Sequence, residues 1–180
     1  MVTPSLVEDP TGPRWTPARI VVVILVVAMV GMWGYVLYLA IGPGRQPPPD
    51  RLSDPAFATA AQTRCEAAHG VVDQLPTANE AADATAQAAI VDDANAAFDA
   101  MLRDLAAIVP PGEEGDLATA WLADWRTYLG DRTRYADALR VDPEARLLVT
   151  PKDQDQITEF IDAFAADNRM IACATPLDVG

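Results

Sequence analysis

An all-α protein, with one N-terminal transmembrane helix followed by an up-down-up-down four-helix bundle, is what three features of the sequence predict. Residues 20–41 form an uncharged apolar run, four amphipathic stretches of helical period follow it, and no stretch of useful length alternates apolar with polar residues. The organisation implied is a cytoplasmic tail over 1–19, an anchor over 20–41, a Pro/Gly-rich spacer over 42–52 and an acidic helical domain over 53–180. With the anchor set aside, the 180-residue chain leaves enough length for one packed domain and too little for two.

The run IVVVILVVAMVGMWGYVLYLAI spans roughly 33 Å as a helix, the thickness of a hydrocarbon core. Trp15 precedes it and Trp33, Tyr35 and Tyr38 lie in its second half, so amphipathic rings are on hand for both headgroup zones. A buried core helix is a poor alternative, because so long an uncharged segment is rare inside a soluble domain. A cleaved signal peptide is the nearer rival, since Arg14 and Arg19 resemble a basic leader. Against cleavage stand the length of the run, the bulky Tyr38 three residues before a cut after Ala40, and Pro43 close behind.

Charge leaves the orientation tied, with Arg14 and Arg19 on one side and Arg45 and Arg51 on the other. The cysteines break the tie. Cys65 and Cys173 are the only two, both lie beyond the anchor, and together they suit one disulfide in an oxidising compartment. The expected arrangement is a single pass through the cytoplasmic membrane, with the N-terminus inside and the domain outside. Two buried thiols are the alternative.

The spacer GPGRQPPPD favours a stiff polyproline II segment that lifts the domain off the bilayer. The first helix of the domain opens with Asp54 as N-cap and Pro55 behind it, carries Phe57, Ala61, Cys65, Ala68, Val72 and Leu75 on one stripe, and stops near Pro76. The second opens with Thr77 and Glu80, spaced as a capping box, and runs for near thirty residues through Ile90, Ala94, Phe98, Met101, Leu105 and Ile108 to the break at Pro110-Pro111-Gly112. The third extends from about Glu113 to Leu139, with acidic residues in its first turn where the helix dipole favours them. The fourth starts at Thr150-Pro151 and buries Ile157, Phe160, Ile161, Phe164 and Ile171, while Arg146 to Thr150 reads as extended. In an up-down-up-down bundle the first and fourth helices are neighbours, which brings Cys173 at the membrane end within reach of Cys65.

The domain is strongly acidic: residues 52–180 hold 23 Asp and Glu against nine Lys and Arg. Such a surface repels phosphate backbones and anionic headgroups, so nucleic acid is excluded as a partner and a basic patch is not the means of membrane attachment.

The segment WLADWRTYLGDRTRYADAL carries the densest chemistry. Trp121, Asp124, Tyr128, Asp131 and Tyr135 share one stripe, and Trp125, Leu129, Arg132 and Leu139 share the next. Trp121, Trp125, Tyr128, Arg132 and Tyr135 are the candidate pocket or interaction residues, suited to a cation or planar ligand by stacking and cation–π contact. The stronger expectation is that these rings fill a core, with Arg132 paired to Asp162 or Asp167. His69, four residues after Cys65, shares its face, but two ligands do not make a metal site and no third completes one. No G-x-S-x-G elbow, phosphate loop or dinucleotide fingerprint is present. No cofactor or metal is expected, and a catalytic role has no motif behind it.

The strings PPPDRLSDPAF, WLADWRTYLGDRTRYADAL and ITEFIDAFAADNRMIACATPLDVG resemble a family of small actinobacterial single-pass membrane proteins. The resemblance implies one anchor and an extracytoplasmic helical domain, and it carries no functional residue across. The function expected is a non-catalytic interaction or scaffolding module, with the bilayer as one partner through residues 20–41 and an envelope or membrane protein as another. A ligand-binding, sensor-like bundle acting through a partner is the alternative from a different class.

Overall fold

The computed structural model describes residues 16–41 and 48–179, which fall into two compact units divided at Pro47. The expectations for the cytoplasmic tail up to Trp15, and for spacer residues 42–47, lie outside the described residues.

In the first unit, α1 (Pro17–Ile41) is a 25-residue helix. Pro17 takes the first helical position, where its missing N–H costs nothing, and the carbonyl of Thr16 accepts from the amides of Arg19 and Ile20. Apolar residues cover every face of α1 and its side chains are exposed along its whole length. It is long and apolar enough to cross a membrane, with a mean hydropathy of 2.7 in its most apolar stretch.

The second unit is mostly helical and closes around one main core. In α2 (Pro55–Val72) the Asp54 carboxylate accepts from the amide of Ala56 at 2.8 Å and Pro55 follows, as the cap signal predicts. Its buried stripe is Phe57, Ala58, Ala61, Cys65 and Ala68. The helix α3 (Ala84–Ala106) starts later than expected. Thr77 heads only a 3₁₀ turn, Ala78–Glu80, and makes no capping bond, whereas Asp83 accepts from the amide of Ala86 at 2.8 Å. Aspartate is the better cap, and Ala78 is drawn into a small satellite cluster with Ala88, Val91, Tyr135, Ala136, Leu139 and Val179, so the chain bends before the helix begins.

The helix α4 (Glu113–Leu139) matches its expected span, with Glu113, Glu114 and Asp116 in the first turn. Gly112 precedes it at a φ of 81°, a left-handed value that favours glycine. Gly115 is required by close approach, because a Cβ there would sit 1.8 Å from the Pro110 carbonyl oxygen.

Where the fourth helix was expected to start at Pro151, the chain makes a hairpin of two short antiparallel strands. In it β1 (Pro151–Lys152) pairs with β2 (Asp155–Gln156) in the register Pro151 to Gln156 and Lys152 to Asp155. Asp153 turns it at a φ of 54°, which aspartate tolerates better than most residues. Only then does α5 (Ile157–Asp167) begin, burying Ile157, Ile161, Phe164 and Ala165. Phe160 is half-buried and Ile171 is 66% exposed, so neither takes the fully buried place expected of it.

Among these elements α3 packs along α4, α2 along α3, and α5 along α4, while the side of α2 left open is covered by the 3₁₀ turn Ile171–Cys173 rather than by α5. Trp121 of α4 sits between Phe57 of α2 and Phe164 of α5, with ring centroids 6.4 and 5.4 Å away. Cys65 and Cys173 are joined by a disulfide, both fully buried, 108 positions apart. Asn168 stitches the start of the domain to the end of α5: its Oδ1 accepts from the Leu52 amide at 2.8 Å, and its Nδ2 donates to the carbonyls of Asp50 and Phe164.

Candidate functional site

Residues spaced three and four apart on a helix share a face, and α4 is apolar or aromatic at 121, 125, 128, 132, 135 and 139 except for one arginine. All five residues singled out from the sequence are buried: Trp121, Trp125, Tyr128, Arg132 and Tyr135. Trp125 lies 5.9 Å from the Phe98 ring and 5.9 Å from that of Tyr128. Trp121 Nε1 donates to the carbonyl of Ile161 at 3.2 Å. Tyr135 belongs to the satellite cluster, where its hydroxyl accepts from Gln87 Nε2 at 3.3 Å. These rings fill the interior. Trp121, Trp125 and Tyr128 belong to the main core and Tyr135 to the satellite cluster.

The arginine is the exception that organises the site. Arg132 is fully buried, donates from Nε to Asn95 Oδ1 at 2.7 Å, and donates from Nη1 and Nη2 to the two carboxylate oxygens of Asp178 at 2.6 and 2.7 Å. Its Cζ lies 5.4 Å from the Phe98 ring and 5.9 Å from that of Tyr128, so the planar cation is also held between aromatic faces. Burial works against its charge, yet the Asp178 carboxylate holds the guanidinium pKa above its ordinary value. Burial pushes the Tyr128 phenol up, offset in part by the neighbouring Arg132.

The expected partners, Asp162 or Asp167, do not hold Arg132. Asp162 is committed elsewhere: its carboxylate accepts from the amide of Thr175 at 2.7 Å and from its hydroxyl at 3.1 Å. That contact turns the C-terminal segment back across the domain, and it is this return that delivers Asp178 to Arg132.

Two further carboxylates of α4 pin the segment after it. Asp131, fully buried, accepts from the amide and the hydroxyl of Thr150, each at 2.7 Å, and pairs with the exposed Arg134. Asp124 accepts from Lys152 Nζ at 2.6 Å, and the same ammonium lies 4.9 Å from the centre of the Phe160 ring. At the other end of the helix, the hydroxyl and amide of Ser53 donate to Glu114, which holds that carboxyl below its ordinary range. The buried Asp131, Arg132 and Asn168 are thus engaged in holding the segments of the domain together.

His69 is half-buried with its ring 5.5 Å from Phe98, and the disulfide removes Cys65 as a ligand beside it. Among the described residues no group of three His, Cys, Asp or Glu could hold a metal ion. Open hollows lie on the surface among the described residues. One of about 230 Å³ runs past Val72, Leu75, Ile90 and Val91 to Asp178 and Val179; one of about 250 Å³ lies between Phe57 and Pro110; and a shallow one of about 430 Å³ lies between α3 and α4 beside Asn95.

Asn95 and Asp178 are the functional neighbours that the sequence did not single out. Asn95 carried a signal, because it interrupts the apolar stripe of α3 next to Ala94 and three residues before Phe98. Asp178 carried none, since it lies beyond the last periodic stretch. No family model, curated protein or solved structure matches the chain.

Proposed function

We propose that the chain is a single-pass membrane protein whose acidic helical domain lies outside the cytoplasmic membrane and works by binding another envelope or membrane protein rather than by catalysis. The observation that carries this reading is the contrast between the two units. One is a helix of 25 residues with apolar side chains exposed on all sides, suited to lipid. The other has a closed core whose ionisable interior is consumed by structural pairs, with the bridge Cys65–Cys173 suited to an oxidising compartment. An N-terminus inside, an up-down-up-down order of the four domain helices and kinship with actinobacterial single-pass proteins belong to the same proposal. A ligand sensor is less favoured, because the aromatic face of α4 that would have held the ligand is packed as core.

Membranes from cells expressing the full chain, washed at alkaline pH, are expected to retain it. Protease added to spheroplasts is expected to cut the domain, and maleimide is expected to label Cys65 and Cys173 only after denaturation and reduction. Release into the wash, protection from protease or two freely reactive thiols would each overturn the placement. Photo-crosslinkers at the exposed Val71, Val141 and Leu148 are expected to trap one reproducible protein adduct in intact cells, and a blank at all three positions counts against a binding role.

A further inference from the structure

We infer that Arg132, Asn95 and the groove beside them form a binding site for an extended peptide bearing one carboxylate, and that the chain's own segment Thr175–Val179 occupies this site in cis. The inference rests on the binding role proposed above and supplies the chemistry of what is bound: a segment of a partner protein with an acidic side chain followed by a bulky aliphatic residue.

The receptor half is built. A guanidinium presents its donors in a fixed planar fork that matches the two oxygens of a carboxylate, and Arg132 points such a fork at Asp178 with both bonds made. Its remaining edge is set by Asn95, itself 7% exposed, and Phe98 and Tyr128 flank the cation. Asn95 Nδ2 is buried without a hydrogen-bond partner, so the receptor half keeps one unused donor.

The occupant is held through its side chains rather than its backbone. After Thr175, no backbone hydrogen bond of residues 176–179 ties the segment down among the described residues. Leu177 is fully exposed, and the Asp178 side chain keeps 22% of its surface open to water although the arginine beneath it has none. Holding this segment are the two bonds of Thr175 to Asp162, the ion pair, and the burial of Pro176 and Val179.

The occupant also underfills its place. The groove of about 230 Å³ runs alongside Asp178 and Val179 between Val72, Leu75, Ile90 and Val91, which is room for an aliphatic side chain larger than valine. The domain's net negative field disfavours polyacidic sequences, so the partner segment carries its single carboxylate in an otherwise neutral or basic stretch.

The test uses the full chain in detergent micelles and end-blocked pentapeptides matching Thr175–Val179, in the native form, with Asn in place of Asp, and with Leu in place of Val. In the Asp178→Ala variant the fork is empty, so titration followed by tryptophan fluorescence and calorimetry is expected to show saturable binding of the native peptide. That binding should be at least about tenfold tighter than to the wild-type chain, whose competent fraction is reduced by its own tail. The Leu form should bind more tightly than the native one, and the Asn form about tenfold more weakly. Where the alanine variant does not fold, Asp178→Asn carries the same titrations.

A folded, disulfide-bonded variant that binds no peptide overturns the inference. So does equal binding of the Asp and Asn forms, or an equal stabilisation by acetate alone, which would mark a simple anion hole. A wild-type chain that dimerises with rising concentration overturns it in favour of tails exchanged between two copies. None of these results bears on membrane placement or on the photo-crosslinks, which test the binding role separately.

Discussion

At the scale of single residues, the asymmetry of the Arg132–Asp178 pair decides what each substitution does. Removing the carboxylate by Asp178→Ala strands a cation that has no exposed surface, and breaking a buried pair in this way costs about 3–5 kcal/mol. Arg132→Met removes the cation and leaves Asp178 on a segment that can turn its side chain to water, so the loss in urea unfolding is expected to be clearly the smaller of the two. A result in the opposite order would mean that Arg132 is held mainly by its contacts with Phe98 and Tyr128. Tyr128 sets a pH dependence of its own. Its phenol is raised in the folded state by burial, so the folded chain keeps that proton when the unfolded chain has lost it. Stability is full below the ordinary tyrosine range and falls as pH rises from about 10 towards the raised folded value. Melting temperatures followed across that range should decline, and Tyr128→Phe should flatten this part of the decline. Of this cluster the sequence disclosed α4's share, because Trp121, Trp125, Tyr128, Arg132 and Tyr135 repeat at helical spacing. It did not disclose which acid meets the arginine, since that depends on where Asp162 sends the last residues of the chain.

At the scale of elements, the same division holds between what periodicity announces and what competition decides. The span of α4 was legible in full because its acidic first turn and its uninterrupted period agree. The start of α3 was not, since Thr77 and Asp83 both offer caps and the sequence alone does not rank burial of Ala78 against an earlier helix. The two caps make a direct comparison. Asp83→Ala should cost about 1 kcal/mol in chemical denaturation, whereas Thr77→Ala, at a position with no side-chain capping bond, should change little. An equal loss at both would show that the helix extends back to Thr77 in solution. The β1–β2 hairpin was hidden for another reason. It is held by Thr150 and Lys152 reaching Asp131 and Asp124 on α4, contacts between segments roughly twenty to thirty residues apart that no local pattern encodes.

At the scale of the whole molecule, the side chains of the first unit are exposed along its helix whereas the second closes a core, and the disulfide belongs wholly to the second. The loop that it closes spans nearly all of the domain, so on the chain-entropy account its removal should cost about 4–5 kcal/mol. Cys65→Ala together with Cys173→Ala should therefore unfold at markedly lower urea, with an altered slope as the unfolded ensemble expands. A small effect would mean that the denatured chain is already compact around α3 and α4.

The position of that bridge also governs how tension would travel. A pull applied between residue 48 and the segment after Cys173 has a covalent shortcut from Cys65 to Cys173, so the load passes through the first half of α2 and leaves α3, α4 and α5 slack. With residue 48 held and the segment after Cys173 pulled, the body of the domain sits off the line of force, and what yields first is the Asp178 contact with Arg132 or the opening turns of α2.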